Sequence, residues 1–154
     1  MVSGGGTLLA AHASNIPELT ELRAGNYVFN DWTNVARGAA SLDDCALTVM
    51  ATVVSRPLEH RAVLDCGSST LSGERYGGYY GYLAEYPLAR VYALYAEHAL
   101  LDLSACDEHP VIGDRVHIVP VSARAVINLA NFVYGTHGAV LDVEWPVTAR
   151  GSVW

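Results

Sequence analysis

The chain has 154 residues, 51% of them hydrophobic and 16% charged, and a formal net charge of -7, which suits one domain of 1–154 with a sizeable core. Its nine basic residues are all arginine; none of them cluster, which excludes a nucleic-acid surface and disfavours an anionic membrane. With no lysine anywhere, covalent catalysis through a lysine Schiff base is excluded for these residues as well.

So apolar a composition points to a surface covered by a second copy or another protein, and a homodimer is expected. Cys45, Cys66 and Cys106 form an odd set without a CxxC pair, so neither a disulfide framework nor a zinc knuckle is indicated and a reducing, cytoplasmic setting fits. Met1 to Thr7 lacks a positive n-region and a long apolar stretch, and no run reaches the roughly 20 apolar residues of a membrane span. The expectation is a soluble, unprocessed protein.

In chain order, short β-branched and aromatic runs separated by Gly, Pro and Asn-Asp predict a mainly β, antiparallel domain with a few short helices. Tyr27 to Phe29 reads as the first strand, followed by a short helix capped by Asp31 or Thr33 and running through Ala40. Ala46 to Ser55 and Ala62 to Leu64 read as strands, and Ala89 to Leu101 as two strands or one with a bulge. Ser68 to Tyr86, with its glycines and Tyr76, Tyr79, Tyr80, Tyr82 and Tyr86, suits a loop whose rings face solvent or a ligand. Arg115 to Val119 is a further strand, Ser122 caps a helix through Leu129, and Phe132 to Tyr134 and Ala139 to Trp145 close the series.

Five runs occur in order: Glu21 to Asp31 (ELRAGNYVFND), Val63 to Ser72 (VLDCGSSTLS), Glu97-His98, Pro110 to Arg115 (PVIGDR) and Ala149-Arg150-Gly151. Together they resemble the C-terminal β domain of the D-serine dehydratase and D-threonine aldolase family, fold-type III pyridoxal-phosphate enzymes of D-amino acids. The resemblance covers nearly the whole chain, and residues 1–20, with Ser3 to Thr7, look like the glycine-rich end of that family's cofactor barrel, where backbone amides hold a phosphate. It implies that this is an antiparallel, β-barrel-like domain, which in the family follows a barrel bearing the Schiff-base lysine and closes over the cofactor, usually across a dimer.

The resemblance also implies two metal ligands, a histidine and a Cys or Asp, in a segment that here reads Pro120-Val-Ser-Ala-Arg124. Ser122 stands for the histidine and Arg124 for the Cys or Asp, and a guanidinium has no lone pair for a divalent cation. The family's Asp-x-Gly-x-Lys reads Asp65-Cys-Gly-Ser-Ser69. No cofactor and no metal are therefore expected, and His60, His109, His117 and His137 show no metal-ligand spacing.

The expected activity is that of a repurposed domain, binding a small, anionic organic molecule and catalysing a cofactor-free acid-base step such as elimination, isomerisation or cyclisation. Arg124 either holds a substrate carboxylate or pairs with an internal one such as Asp142 or Glu144. The resemblance places Glu97-His98 facing the cleft, so His98 is the candidate acid-base group, with only one of the two able to face inward if they lie on a strand. Tyr27 matches the tyrosine that reaches the cofactor phosphate in the family and is the third catalytic candidate. Ser122, Asn128, Tyr79, Tyr80 and His117 are candidate substrate-binding residues, although Ser122 and Asn128 also read as a helix cap and a packed amide. A nucleophilic Cys66 lacks a neighbouring histidine in the sequence. The alternative is a non-catalytic half that completes a separately encoded pyridoxal-phosphate barrel.

Overall fold

A computed structural model describes residues 1–152 of the chain. The N-terminal stretch carries β1 (Ser3–Gly5) and α1 (Thr7–Ala10), and β1 pairs in parallel with β2 (Glu21–Arg23). After α2 (Trp32–Ala36) come β3 (Val49–Leu58), β4 (Arg61–Leu64), α3 (Ser68–Leu71), β5 (Gly81–Leu83), β6 (Arg90–Leu94), β7 (Ala99–Asp102) and β8 (Arg115–Pro120). Helix α4 (Ala123–Leu129) and the hairpin β9 (Phe132–His137) and β10 (Val140–Pro146) complete the described chain.

Strands β3 to β8 close a six-stranded barrel in the order β3-β4-β7-β6-β5-β8, every neighbouring pair antiparallel. Alternation drives the closure. Val49, Ala51 and Val53 on β3, Ala62 and Leu64 on β4, and Val116 and Ile118 on β8 point inward and are buried. Leu83, Val91, Ala99 and Leu101 fill the rest, and Leu71 of α3 plugs one end. Gly81 lets β5 lie close on β8, because a Cβ there would stand 2.6 Å from Ile118 Cγ2.

The closed antiparallel barrel is the expected fold, and most strands fall where the alternation places them. Ala89 to Leu101 resolves into the hairpin β6-β7, with a bulge between Val91 and Ala93. Strand β3 runs on past Ser55 to Leu58 despite Pro57, a position where its pairing with β4 is already irregular. Asp31 and Ser122 cap α2 and α4 through bonds accepted from Asn34 N and Ala125 N. Helix α2 stops at Ala36 rather than Ala40, because Gly38 at φ 72° turns the chain away.

Two readings are corrected. Tyr27 to Phe29 is no strand: Asn26–Val28 is a 3₁₀ turn, in which Phe29 N and Asn30 N bond back to Asn26 O at 3.2 and 2.8 Å. Local hydrogen bonding around Asn26 overrides the β preference of the aromatic run. Ser68 to Tyr86 is only partly loop, since it holds α3 and β5, joined through a tight turn at Gly77 and Gly78, both at positive φ, between the bridged residues Tyr76 and Tyr79.

Candidate functional site

A cleft of about 640 Å³ lies between the segment 25–34 and the β8-α4 junction. Its polar lining is Asn26, Asp31, Thr33, Asn34, Glu74, Ser122 and Arg124, and Val28, Phe29, Val121 and Ile127 form its apolar wall. Asp31 ties the two sides together. Its carboxylate accepts from Asn34 N at 3.2 Å, from Ala123 N at 3.1 Å and from Asn26 Nδ2, so one buried side chain caps α2 and holds the start of α4. Thr33 Oγ1 adds a second tie, donating to Val121 O at 2.8 Å.

Helix α2 is fixed from behind by the barrel. Trp32 stacks on Tyr82 with ring centroids 3.4 Å apart, and the Arg90 guanidinium lies 4.4 Å from the Tyr82 ring. Burial pushes the Tyr82 phenol up, with Arg90 working against it. The stack holds Trp32, the neighbour of Asp31 and Thr33, against β5 of the barrel.

The only cation lining the cleft among the described residues is Arg124, on the first turn of α4. Its Nη2 lies 3.7 Å from Glu74 Oε1, and the two side chains are 83% and 50% exposed. The partner is thus Glu74, from the segment between α3 and β5, and not Asp142 or Glu144 of the terminal hairpin.

Of the residues singled out in the sequence, Ser122 and Arg124 line the cleft together. Ser122 is buried, its hydroxyl 3.4 Å from Ala125 N as the cap of α4. Tyr27 is exposed beside the cleft, where its neighbours Asn26 and Val28 form the lining and its own ring does not. Asn128 is occupied at the far end of α4, its Oδ1 accepting from Gly151 N at 3.2 Å and its carbonyl from Arg150 Nε at 3.3 Å.

His98 lies elsewhere. Glu97 and His98 form the turn between β6 and β7 and not a strand, His98 O accepts from Tyr95 N at 2.8 Å, and the imidazole is exposed outside the cleft lining. Glu97 Oε1 accepts from Ser69 Oγ at 3.1 Å, so the serine in the place of the family's second lysine is spent on that turn. His117 sits between the inward Val116 and Ile118 and therefore faces out of the barrel, with Nδ1 2.6 Å from Glu85 Oε1. Tyr80 packs on the barrel core, and Tyr79 meets Tyr82 edge-on at 6.2 Å; neither lines the cleft.

Asp31, Asn26, Asn34 and Glu74 were not singled out as site residues. An Asn-x₄-Asp-x₂-Asn pattern across a turn and a helix cap was the available signal for the first three. Glu74 carries none, being brought to Arg124 by the fold alone.

The donors present do not fit the family's metal. Ser122 is committed to its cap, Arg124 is a cation, and no cluster of three or more His, Cys, Asp or Glu able to hold a metal occurs among the described residues. Burial, and then Asp65, push the Cys66 thiol from an ordinary 9.0 up to about 12, which disfavours the thiolate a nucleophile needs.

Residues 46–136 match the family described as the putative serine dehydratase domain. The chain belongs to that family. An uncharacterized protein of Mycobacterium tuberculosis is 34% identical to the domain over 131 residues, which is 81% of this chain and 98% of that protein. The D-threonine aldolase of an Arthrobacter species is 29% identical over 153 residues, 97% of this chain but 39% of the enzyme. In structure the domain superposes on the D-threonine aldolase of Filomicrobium marinum with a TM-score of 0.82 and 29% identity, covering 100% of this chain and 42% of that one. The D-threo-3-hydroxyaspartate dehydratase of Delftia sp. HT23 gives 0.78 and 25%, with 94% of this chain and 43% of the enzyme covered. The domain thus spans about two fifths of these enzymes' length. No helix among the described residues is long and apolar enough to cross a membrane.

Proposed function

We propose that the domain binds a small organic molecule bearing a carboxylate, held by Arg124 in the cleft between the segment 25–34 and α4. The observation that carries this reading is the juxtaposition of one loosely paired guanidinium with an apolar wall of Val28, Phe29, Val121 and Ile127 inside a cleft of about 640 Å³. That volume lies within the range of small-molecule sites, and a few polar groups on an apolar wall are what orient a ligand. Ser122 and Thr33 line the same cleft, their hydroxyls engaged by Ala125 N and Val121 O.

The acid-base step expected of His98 draws no support from the cleft, whose titratable carboxylates are Asp31 and Glu74. Asp31 is held in place by three donors. The reading is therefore one of ligand binding through Arg124, with elimination, isomerisation or cyclisation left to whatever proton Glu74 can move.

Binding of a panel of small carboxylates, followed by calorimetry, tests this. At least one aryl or branched aliphatic acid binds the wild-type domain, and Arg124→Ala weakens it roughly ten- to a hundredfold, the scale of a charge-assisted hydrogen bond. Equal binding by the variant would overturn the reading.

A second reading, a partner that completes a separately encoded barrel enzyme, is favoured by a different observation. Hairpin β9-β10 stands outside the barrel sheet and exposes Phe132, Tyr134, Val140, Leu141 and Trp145, an apolar surface of the kind an interface covers. A defined complex with a lysine-bearing barrel protein in native mass spectra would support it; a homodimer closed over the hairpin would count against it.

A further inference from the structure

The ion pair in the cleft is a poor one by geometry. Arg124 Nη2 and Glu74 Oε1 stand 3.7 Å apart with both side chains in water, well beyond the roughly 2.8 Å of a tight charge-assisted bond. Such a pair contributes little and opens at little cost. Glu74 belongs to the segment that leaves α3 through Ser72 at φ 66° and Gly73, where nothing lies within 4 Å of an added Cβ. Half exposed and 3.7 Å from Arg124, the Glu74 side chain can leave the guanidinium without disturbing the barrel. Asp31, the other carboxylate of the lining, cannot move in the same way, being held by Asn26, Asn34 and Ala123.

We propose that Glu74 is an internal competitor for Arg124, and that an apolar monocarboxylate binds by taking its place on the guanidinium, its body resting on Val28, Phe29, Val121 and Ile127. This rests on the carboxylate-binding reading above and adds the ligand's class and what regulates its entry. The cleft lining holds one guanidinium and two carboxylates, Asp31 and Glu74. A ligand with a second carboxylate therefore meets net repulsion in the cleft, whereas a single carboxylate on an apolar body satisfies Arg124 and the wall together.

The test is calorimetric titration of the wild-type domain, Glu74→Gln and Arg124→Ala with 3-phenylpropanoate and with phenylsuccinate, which carries a second carboxylate. Glu18→Gln, on the exposed surface, controls for net charge. Glu74→Gln is expected to bind 3-phenylpropanoate roughly two- to fivefold tighter than wild type, the scale of an exposed ion pair, and to gain more for phenylsuccinate. Glu18→Gln should gain nothing. Unchanged or weaker binding by Glu74→Gln, with Arg124→Ala still defective, overturns the competition and leaves the binding reading standing. Equal gain in Glu18→Gln overturns it too, by assigning the effect to net charge. Absence of 3-phenylpropanoate binding to every variant overturns the competition, and failure of the whole panel of small carboxylates overturns the binding reading with it.

Discussion

Three donors converge on Asp31 from a side chain, a helix start and a second helix start, and the cleft depends on that convergence. Asp31→Ala removes a cap and strands Ala123 N–H in a buried setting, so unfolding in urea should show a loss of about 3 kcal/mol. A loss near zero would mean that water replaces the carboxylate. Cys66 supplies a pH prediction. Its folded pKa of about 12 lies above its ordinary 9.0; its contribution is fully present below pH 9.0 and is lost as pH climbs through about 12. Stability should therefore fall over that alkaline window and fall less in Cys66→Ala, and iodoacetamide should leave the folded thiol unmodified at neutral pH. Among single residues Arg124 was legible as a replacement for a ligand, while its partner was not. Glu74 lies 50 positions away in the chain, and no local pattern announces which of the carboxylates the fold brings to the guanidinium.

At the scale of elements, β-branched and aromatic runs between turn residues made β3, β4, β7 and β8 legible as strands, while their closure into a barrel was legible only through the family resemblance. Capping residues made α2 and α4 legible for an equally local reason. What escaped was decided by long-range packing: β5 holds Gly81, Tyr82 and Leu83, all buried, in a stretch whose tyrosines and glycines read as loop. Only pairing with β6 and β8 makes it a strand. Glu97 and His98 show the opposite case, a motif carried over by resemblance that lies on a hairpin turn outside the lining of this cleft. The Trp32-Tyr82-Arg90 stack is the element-level device that holds α2 against the barrel. Trp32→Ala should lower stability by about 2 kcal/mol in thermal or urea unfolding, and should weaken 3-phenylpropanoate binding although Trp32 does not line the cleft. Unchanged affinity would show that the Asp31 and Thr33 ties position α2 unaided.

For the whole molecule, the barrel has its own core, and β9-β10 is a two-stranded appendage, an arrangement marginal in water unless something covers it. Paired Phe132→Asp and Trp145→Asp substitutions should leave the barrel's melting transition in place while lowering the sedimentation coefficient of the complex that the second reading expects with a lysine-bearing barrel protein. An unchanged coefficient would mean that the hairpin is not the contact. Family membership and fold extend over the molecule; chemistry does not follow from them, because the two positions where the resemblance implies metal ligands hold a capping serine and an ion-paired arginine. The central claim is that this replacement turned the cleft into a carboxylate site. A crystal structure of the domain with 3-phenylpropanoate tests it most directly: a carboxylate oxygen about 2.8 Å from the Arg124 guanidinium, with Glu74 turned aside and the phenyl ring on Phe29 and Ile127, is the predicted result. A ligand bound outside the cleft, or inside it with its carboxylate away from Arg124, would contradict the account.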